Sequence, residues 1–161
     1  MGDPPTLPLP PPSQVDLVGT ENVLALAKAQ GSATHRFILV SSIGADELLN
    51  PLNLFGGILL LKGRAEEAIR TSGVPYTIVR PGGLRDEPGP SGGFDPVVVR
   101  PRGWYGLGPG ARGPEGTVSR QQIADLCVEG SVSSASLNQT VEVVTAVGAD
   151  VRGTEELFAE I

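Results

Sequence analysis

The chain holds one cysteine, Cys127, and one histidine, His35, among its 161 residues. A single thiol excludes an internal disulfide, and no Cys or His cluster with metal-ligand spacing can be drawn from the sequence. Aromatic residues make up only 4 per cent, so a core has to rest on Val, Leu, Ile and Ala. Long hydrophobic runs are missing as well. The longest, Phe55 to Leu61, is far below the roughly 18 residues that cross a bilayer. Positive charge is in deficit: a net charge of −6 lacks the basic footprint that nucleic acid or an anionic membrane surface requires. The first residues, Met1 to Pro5, are acidic and proline-bearing where a secretory signal or a transit peptide carries basic residues. These absences lead to the expectation of a soluble intracellular protein, cytoplasmic by default, with no nucleic-acid partner and no membrane span.

What is present is an ordinary globular balance, 40 per cent hydrophobic and 19 per cent charged. The chain is long enough for one domain with a core of its own. Gly (22) and Pro (15) gather in two segments, 4–12 and 81–116. The first predicts a disordered Pro-rich leader over 1–14, because proline fixes φ and removes a backbone donor; a polyproline ligand for a docking partner is the alternative. The second predicts a long Gly/Pro-rich loop over 85–116, a substrate-side flap with one strand near 95–100. The domain proper is expected over 15–161.

From Val15 to Ala29 apolar residues recur at helical spacing, and Gly31 marks the stop. Arg36 to Val40 ends in a continuous apolar run of strand length, the signature of a parallel strand buried on both faces. Ile58, Leu59, Leu61, Ala65, Ala68 and Ile69 give 58–72 one apolar helical face, closed by Gly73. Tyr76 to Arg80 reads as a second strand. Strand, helix and strand in that order make a βαβ unit, so the fold class is α/β. Val118 to Val132 predicts a third helix, with Ser119 and Gln122 at capping-box spacing. Thr140 to Thr145 predicts a further strand, and Thr154 to Ala159 a short last helix.

Two motifs are more specific than periodicity. Ser41-Ser42-Ile43-Gly44 leaves the first strand, and Arg80-Pro81-Gly82-Gly83-Leu84 leaves the second. In an open α/β sheet, ligands bind at the carboxyl ends of strands. Between the motifs stands Lys62, one of two lysines against ten arginines, after four apolar residues. Together these stretches resemble the second half of a nucleotide-binding domain of the atypical short-chain dehydrogenase/reductase family, in its NmrA-like, plant-type NAD(P)-binding branch. The resemblance covers about 14–146. It implies the C-terminal portion of a Rossmann-like doubly wound parallel sheet, with three to four strands and flanking helices. It implies NADP or NAD as cofactor, held by Asn22, Ser41, Lys62, Pro81, Gly82, Gly83 and Leu84, with Ser42 and Lys62 as catalytic residues. Plant-type relatives are often plastid proteins, which makes a plastid the alternative address.

The sequence also departs from the family's pattern. A Tyr four residues before a Lys shares its helix face, so that the ammonium lowers the phenol's pKa and a proton can be passed at neutral pH. Here the position four before Lys62 is Ile58, which carries no such proton. The resemblance therefore implies Lys62 as a cofactor ligand rather than half of a Tyr-dependent reductase. Each residue also has a plainer reading: Lys62 as a solvated cation, Ser41 and Ser42 as strand terminators, Asn22 as helix surface, Pro81 to Leu84 as a simple turn. Cys127 reads as a small buried hydrophobe and His35 as a boundary residue. Glu66-Glu67 and Asp86-Glu87 suggest no acid–base dyad.

No glycine-rich strand-to-helix turn precedes the first helix, so the half that would hold a pyrophosphate on backbone N–H groups has no counterpart. The expectation is an N-terminally truncated NAD(P)-binding oxidoreductase-type domain, weak or inactive alone, with dinucleotide binding weak or lost. Truncation would also leave the strand at 36–40 with an open edge. A non-catalytic binding or scaffold module is therefore the alternative, self-associating or pairing with a full-length paralogue through that edge. A third reading is an unrelated α/β protein whose Pro-Gly-Gly loop is only a turn.

Overall fold

The computed structural model describes residues 10–31, 35–54, 56–86, 96–105, 117–146, 148–150, 152–159 and 161. Most of the expected leader (1–9) and most of the expected loop (87–95 and 106–116) lie outside the described residues. A π-helical segment, Ser13–Gly19, runs straight into helix α1, Thr20–Gln30. The helix thus starts two residues inside the stretch expected as a leader. Proline is tolerated at such a start because its missing N–H would have no partner there, and the Pro11 carbonyl accepts the Gln14 N–H at 2.9 Å.

Strand β1 (Phe37–Val40) follows, then a 3-10 turn (Pro51–Leu54) and helix α2 (Ile58–Arg70). Next come β2 (Tyr76–Pro81), the two-residue β3 (Leu84–Arg85), β4 (Val97–Pro101) and the two-residue β5 (Val118–Ser119). Helix α3 (Arg120–Val132), strand β6 (Gln139–Thr145) and helix α4 (Thr154–Leu157) complete the chain. The main sheet has the order β1-β2-β6-β4. β1 and β6 run parallel to β2, and β4 closes the far edge antiparallel to β6. This is an α/β fold with a mostly parallel sheet flanked by helices.

The strand expected in a flap is instead β4, a member of the main sheet. Its Val99 is buried and, with Val97, packs on the core beneath α4. Pro101 is tolerable there because an edge strand can spare a donor. A second correction concerns β1, which is not buried on both faces. Phe37, Ile38 and Leu39 are half-buried and Val40 is 42% exposed, because among the described residues β1 pairs with β2 alone. Helix α1 shows the same effect. Leu24 is its buried residue, while Val23 and Leu26 stay exposed, as do Val15 and Val18 of the π-helical segment before it.

Two local devices fix the helices that frame the site. Ser119 Oγ accepts the Gln122 N–H and Gln122 Oε1 accepts the Ser119 N–H, both at 3.0 Å, which is the expected capping box at the start of α3. At Gly63 a Cβ would fall 2.1 Å from the Ala45 carbonyl oxygen. The loop leaving β1 can therefore lie on α2 only because residue 63 has no side chain. Among the described residues no helix is long and apolar enough to cross a membrane.

Candidate functional site

At the carboxyl end of β1 a pocket of about 200 Å³ opens between the first helical segment, β1 and α2. Its lining includes Asp16 and Thr20, Val40 and Ser41, and Lys62 and Ala65. Each group arrives by a different route. Lys62 stands in the second turn of α2, next to the glycine that lets the β1 loop approach. Ser41 is the first residue beyond β1, kept in line with the sheet by its N–H bond to the Val79 carbonyl at 2.7 Å. Asp16 sits in the π-helical segment, which packs along α2. Lys62 Nζ and Asp16 Oδ1 are 2.8 Å apart, with side chains only 25% and 21% exposed. Thr20 Oγ1 donates to the Asp16 carbonyl at 3.0 Å.

Beneath the pocket lies a buried ion network. Arg80 is fully buried in β2, and its Nε and Nη2 donate to the two carboxylate oxygens of Glu66 at 2.9 and 2.8 Å. This bidentate geometry is the strongest an arginine makes with a carboxylate. Arg80 Nη1 also reaches Asp46 Oδ1 at 3.0 Å and Glu142 Oε1 at 3.4 Å. Glu142 accepts the Gly103 and Tyr105 N–H groups at 2.9 and 2.7 Å, while Arg70 pairs with Glu66 and Arg102 with Asp46. Burial pushes the Glu66 carboxyl upward, but Arg80, Ser41 and Arg70 outweigh it and hold the group below its ordinary range. Asp46 behaves alike: burial raises it, and the charges and hydrogen bonds of Arg80 and Arg102 bring it below the usual value. The Arg80 guanidinium is pulled down by burial and carried above its ordinary value by Glu66 and Asp46.

The network reaches the pocket through Ser41, whose hydroxyl donates to Glu66 Oε1 at 2.6 Å. The structure thus brings Ser41 and Lys62 to one pocket. Ser42 is half-buried with its hydroxyl turned to the Ile43 carbonyl, and Asn22 is exposed on α1; neither lines the pocket. Pro81 stands at the same end of the sheet, accepting the Ile43 N–H at 3.1 Å. The Gly82 N–H is taken by the Val143 carbonyl, the Gly83 carbonyl by the Val118 N–H, both at 2.9 Å, and Leu84 pairs with Val118. Gly83 lies close to the 117 loop: a Cβ there would stand 2.9 Å from the Thr117 Cγ2 methyl, which would have to shift. Tyr76 begins β2 at the opposite end of the sheet, and Tyr105 is buried beside Glu142. Cys127 is half-buried against the core, and burial pushes its thiol upward.

Sequence reasoning missed Asp16 and the Arg80 network. The signal for the network was there, as Arg80 and Glu142 are single, opposite charges in otherwise uncharged strands. They prove to be direct cross-strand partners.

A mostly parallel sheet between helices, with a polar pocket at a strand's carboxyl end, defines a Rossmann-like nucleotide-binding domain. Residues 9–132 match the NAD(P)H-binding family, and the chain belongs to it. Over 159 residues it is 39% identical to an uncharacterized chloroplastic protein of Arabidopsis thaliana, At2g34460, spanning 93% of this chain and 52% of that one. It is 36% identical to the chloroplastic protein TIC 62 of Oryza sativa, over 93% of this chain and 29% of the relative. With sanguinarine reductase of Eschscholzia californica the identity is 31%, over 93% and 53%. The chain spans about half the length of these curated relatives, or less. Among solved structures, an assigned NAD-dependent epimerase/dehydratase of Bacillus halodurans superposes with a TM-score of 0.74 at 24% identity, over 99% of this chain and 66% of that one. That likeness is one of fold.

The donor set fits a nicotinamide dinucleotide in part. An ammonium beside a carboxylate suits sugar hydroxyls, and a pocket of about 200 Å³ takes a sugar-sized group rather than a whole dinucleotide, since sites for larger ligands run from about 300 Å³ upward.

Proposed function

We propose that this chain is an NAD(P)-binding domain of the oxidoreductase type, in the NmrA-like branch of the atypical short-chain dehydrogenases/reductases, and that its pocket holds the nicotinamide-ribose end of the dinucleotide. The observation that carries this reading is the meeting of Lys62 and Ser41 in one pocket at the carboxyl end of β1, in a chain of the NAD(P)H-binding family. When bound, the dinucleotide supplies hydride chemistry. Lys62 donates hydrogen bonds to sugar hydroxyls, Ser41 offers its oxygen as an acceptor while its proton is held by Glu66, and the Pro81–Leu84 loop walls the same end of the sheet. Ile58 in place of a tyrosine argues for weak turnover by this chain alone. The chloroplastic relatives favour a plastid address.

The test is a thermal melt with and without NADPH or NADH. Ligand at about a hundred times its dissociation constant adds roughly 2.7 kcal/mol, which moves the midpoint of a domain of this size by several degrees. A shift that disappears in Lys62→Met is the expected result. A cooperative melt that neither dinucleotide moves at any concentration would overturn the reading.

One observation favours a second reading, a binding module that uses the open edge of β1. Val40 is exposed on that edge, and Val15, Val18, Val23 and Leu26 are exposed on the helix beside it. An unpaired apolar edge invites a further strand, from a second copy or a full-length relative. Sedimentation across a concentration series decides it: association that Val40→Lys abolishes supports the module, and a monomer at every concentration rejects self-association.

A further inference from the structure

We propose that Asp16 is a positioning residue of this site, aiming the Lys62 ammonium into the pocket as a directed hydrogen-bond donor. The inference rests on the dinucleotide reading and adds to it a residue from outside the quoted motifs. A lysine side chain has four rotatable carbons and its ammonium ordinarily wanders in water. Here the ammonium is tied to Asp16 Oδ1 at 2.8 Å, with three quarters of each side chain buried. Lysine has three N–H donors, and the pair uses one of them, so two remain for a ligand in the pocket that both residues line.

Asp16 is itself held. The Thr20 hydroxyl donates to its backbone carbonyl at 3.0 Å, and its segment is a π-helix, a form frequent at functional sites. The carboxylate also changes what Lys62 can bind. An isolated ammonium would attract phosphate, whereas an ammonium beside a carboxylate offers a neutral pair that suits hydroxyl groups. The pair therefore favours a sugar over a phosphate at this point of the ligand.

The chain's composition supplies a direct test, since Lys28 is the only other lysine and is exposed. Limited acylation with acetic anhydride, read by peptide mass spectrometry, gives the reactivity of Lys62 relative to Lys28. Asp16→Asn should raise that ratio several-fold, and Asp16→Glu should restore part of the protection. In NADPH titrations Asp16→Asn should weaken binding about tenfold in the native background and have no further effect in Lys62→Met. An unchanged acylation ratio in Asp16→Asn overturns the proposal. So does an equal loss of affinity with and without Lys62, which would make Asp16 a staple between helices. If the native chain binds no dinucleotide, the reading of the pocket fails while the acylation ratio still decides what Asp16 does to Lys62.

Discussion

On the face covered by α3 and α4 the sheet presents Val79, Val99, Val141 and Val143 to Leu126 and Phe158. On the face covered by α2 it presents Ile78 to Ile69 and Leu24, and beyond them Arg80 and Glu142 to Glu66 and Asp46. The first face is dry and apolar; its cohesion is proportional to area and indifferent to direction. The second is directional, since every bond in it has a fixed length and angle. It ties the loop after β1, helix α2, β2, β6 and the 101–105 loop to one guanidinium. Three arginines (Arg70, Arg80, Arg102) face three carboxylates (Asp46, Glu66, Glu142), and at the rim Arg70 also pairs with the exposed Glu67. The lesson is a division of labour: one face holds the domain together, and the other sets where Ser41 and α2 stand.

The largest way to break the comparison is Arg80→Met. It leaves Glu66 and Glu142 buried without their cation, and removing one partner of a buried pair costs about 3–5 kcal/mol. Urea unfolding should show the loss, and a double variant, Arg80→Met with Glu66→Leu, should recover part of it. A cost below about 1 kcal/mol for the single change would mean that the network closes over water instead. Leu126→Ala attacks the dry face, where losing a fully buried leucine costs about 2–5 kcal/mol. Here the expected signature differs: stability falls, while the NADPH-induced shift, relative to the variant's own midpoint, persists. In Arg80→Met that shift should disappear with the position of Ser41.

Acid separates the two faces without any mutation of the dry one. Glu66 and Asp46 have folded pKa values below their unfolded ones, so the unfolded chain binds more protons as the pH drops. Their contribution is complete above the unfolded values, near 4 to 4.5, and is lost as the pH falls through the lower folded values. Stability measured by urea should be flat from neutral pH to about pH 5 and decline below about pH 4.5. Glu66→Gln should flatten the decline, and Leu126→Ala should lower the whole curve without changing its slope.

How much of this was legible follows the range of the forces involved. The βαβ order, the capping box of Ser119 and Gln122, and the placing of Ser41 and Lys62 near one strand end rest on local periodicity and on a motif with known spacing, and the structure reproduces them. The even burial expected of β1 does not hold, because apolarity of a strand says nothing about whether a neighbour exists to cover it. The strand of β4 was legible but its place in the main sheet was not: prolines and glycines on either side of Val97–Val99 read as a flap, although only the sheet's edge had to accommodate them. Asp16 pairs with a lysine on a helix distant in sequence, and that pairing depends on how the first helical segment lies on α2. Glu66 read as one of two adjacent carboxylates that suggest no acid–base dyad. Its burial comes from Arg80, which no helical pattern reveals.

The smallest effect sharpens the border of the network. Arg102 is 44% exposed and Asp46 37%, so their bond at 2.9 Å lies where water competes. Exposed pairs contribute about 0–1 kcal/mol, and Asp46 keeps Arg80 when Arg102 is gone. Arg102→Ala should therefore cost no more than about 0.5 kcal/mol and leave the NADPH-induced shift untouched. Its effect should fade further in 1 M salt, where screening acts within about 3 Å. Arg80→Met, enclosed by protein, should cost nearly the same at either ionic strength. A salt-insensitive loss of more than 1 kcal/mol in Arg102→Ala would show that the 101–105 loop seals the network from solvent, and would move the boundary between the directional face and water outward by one residue.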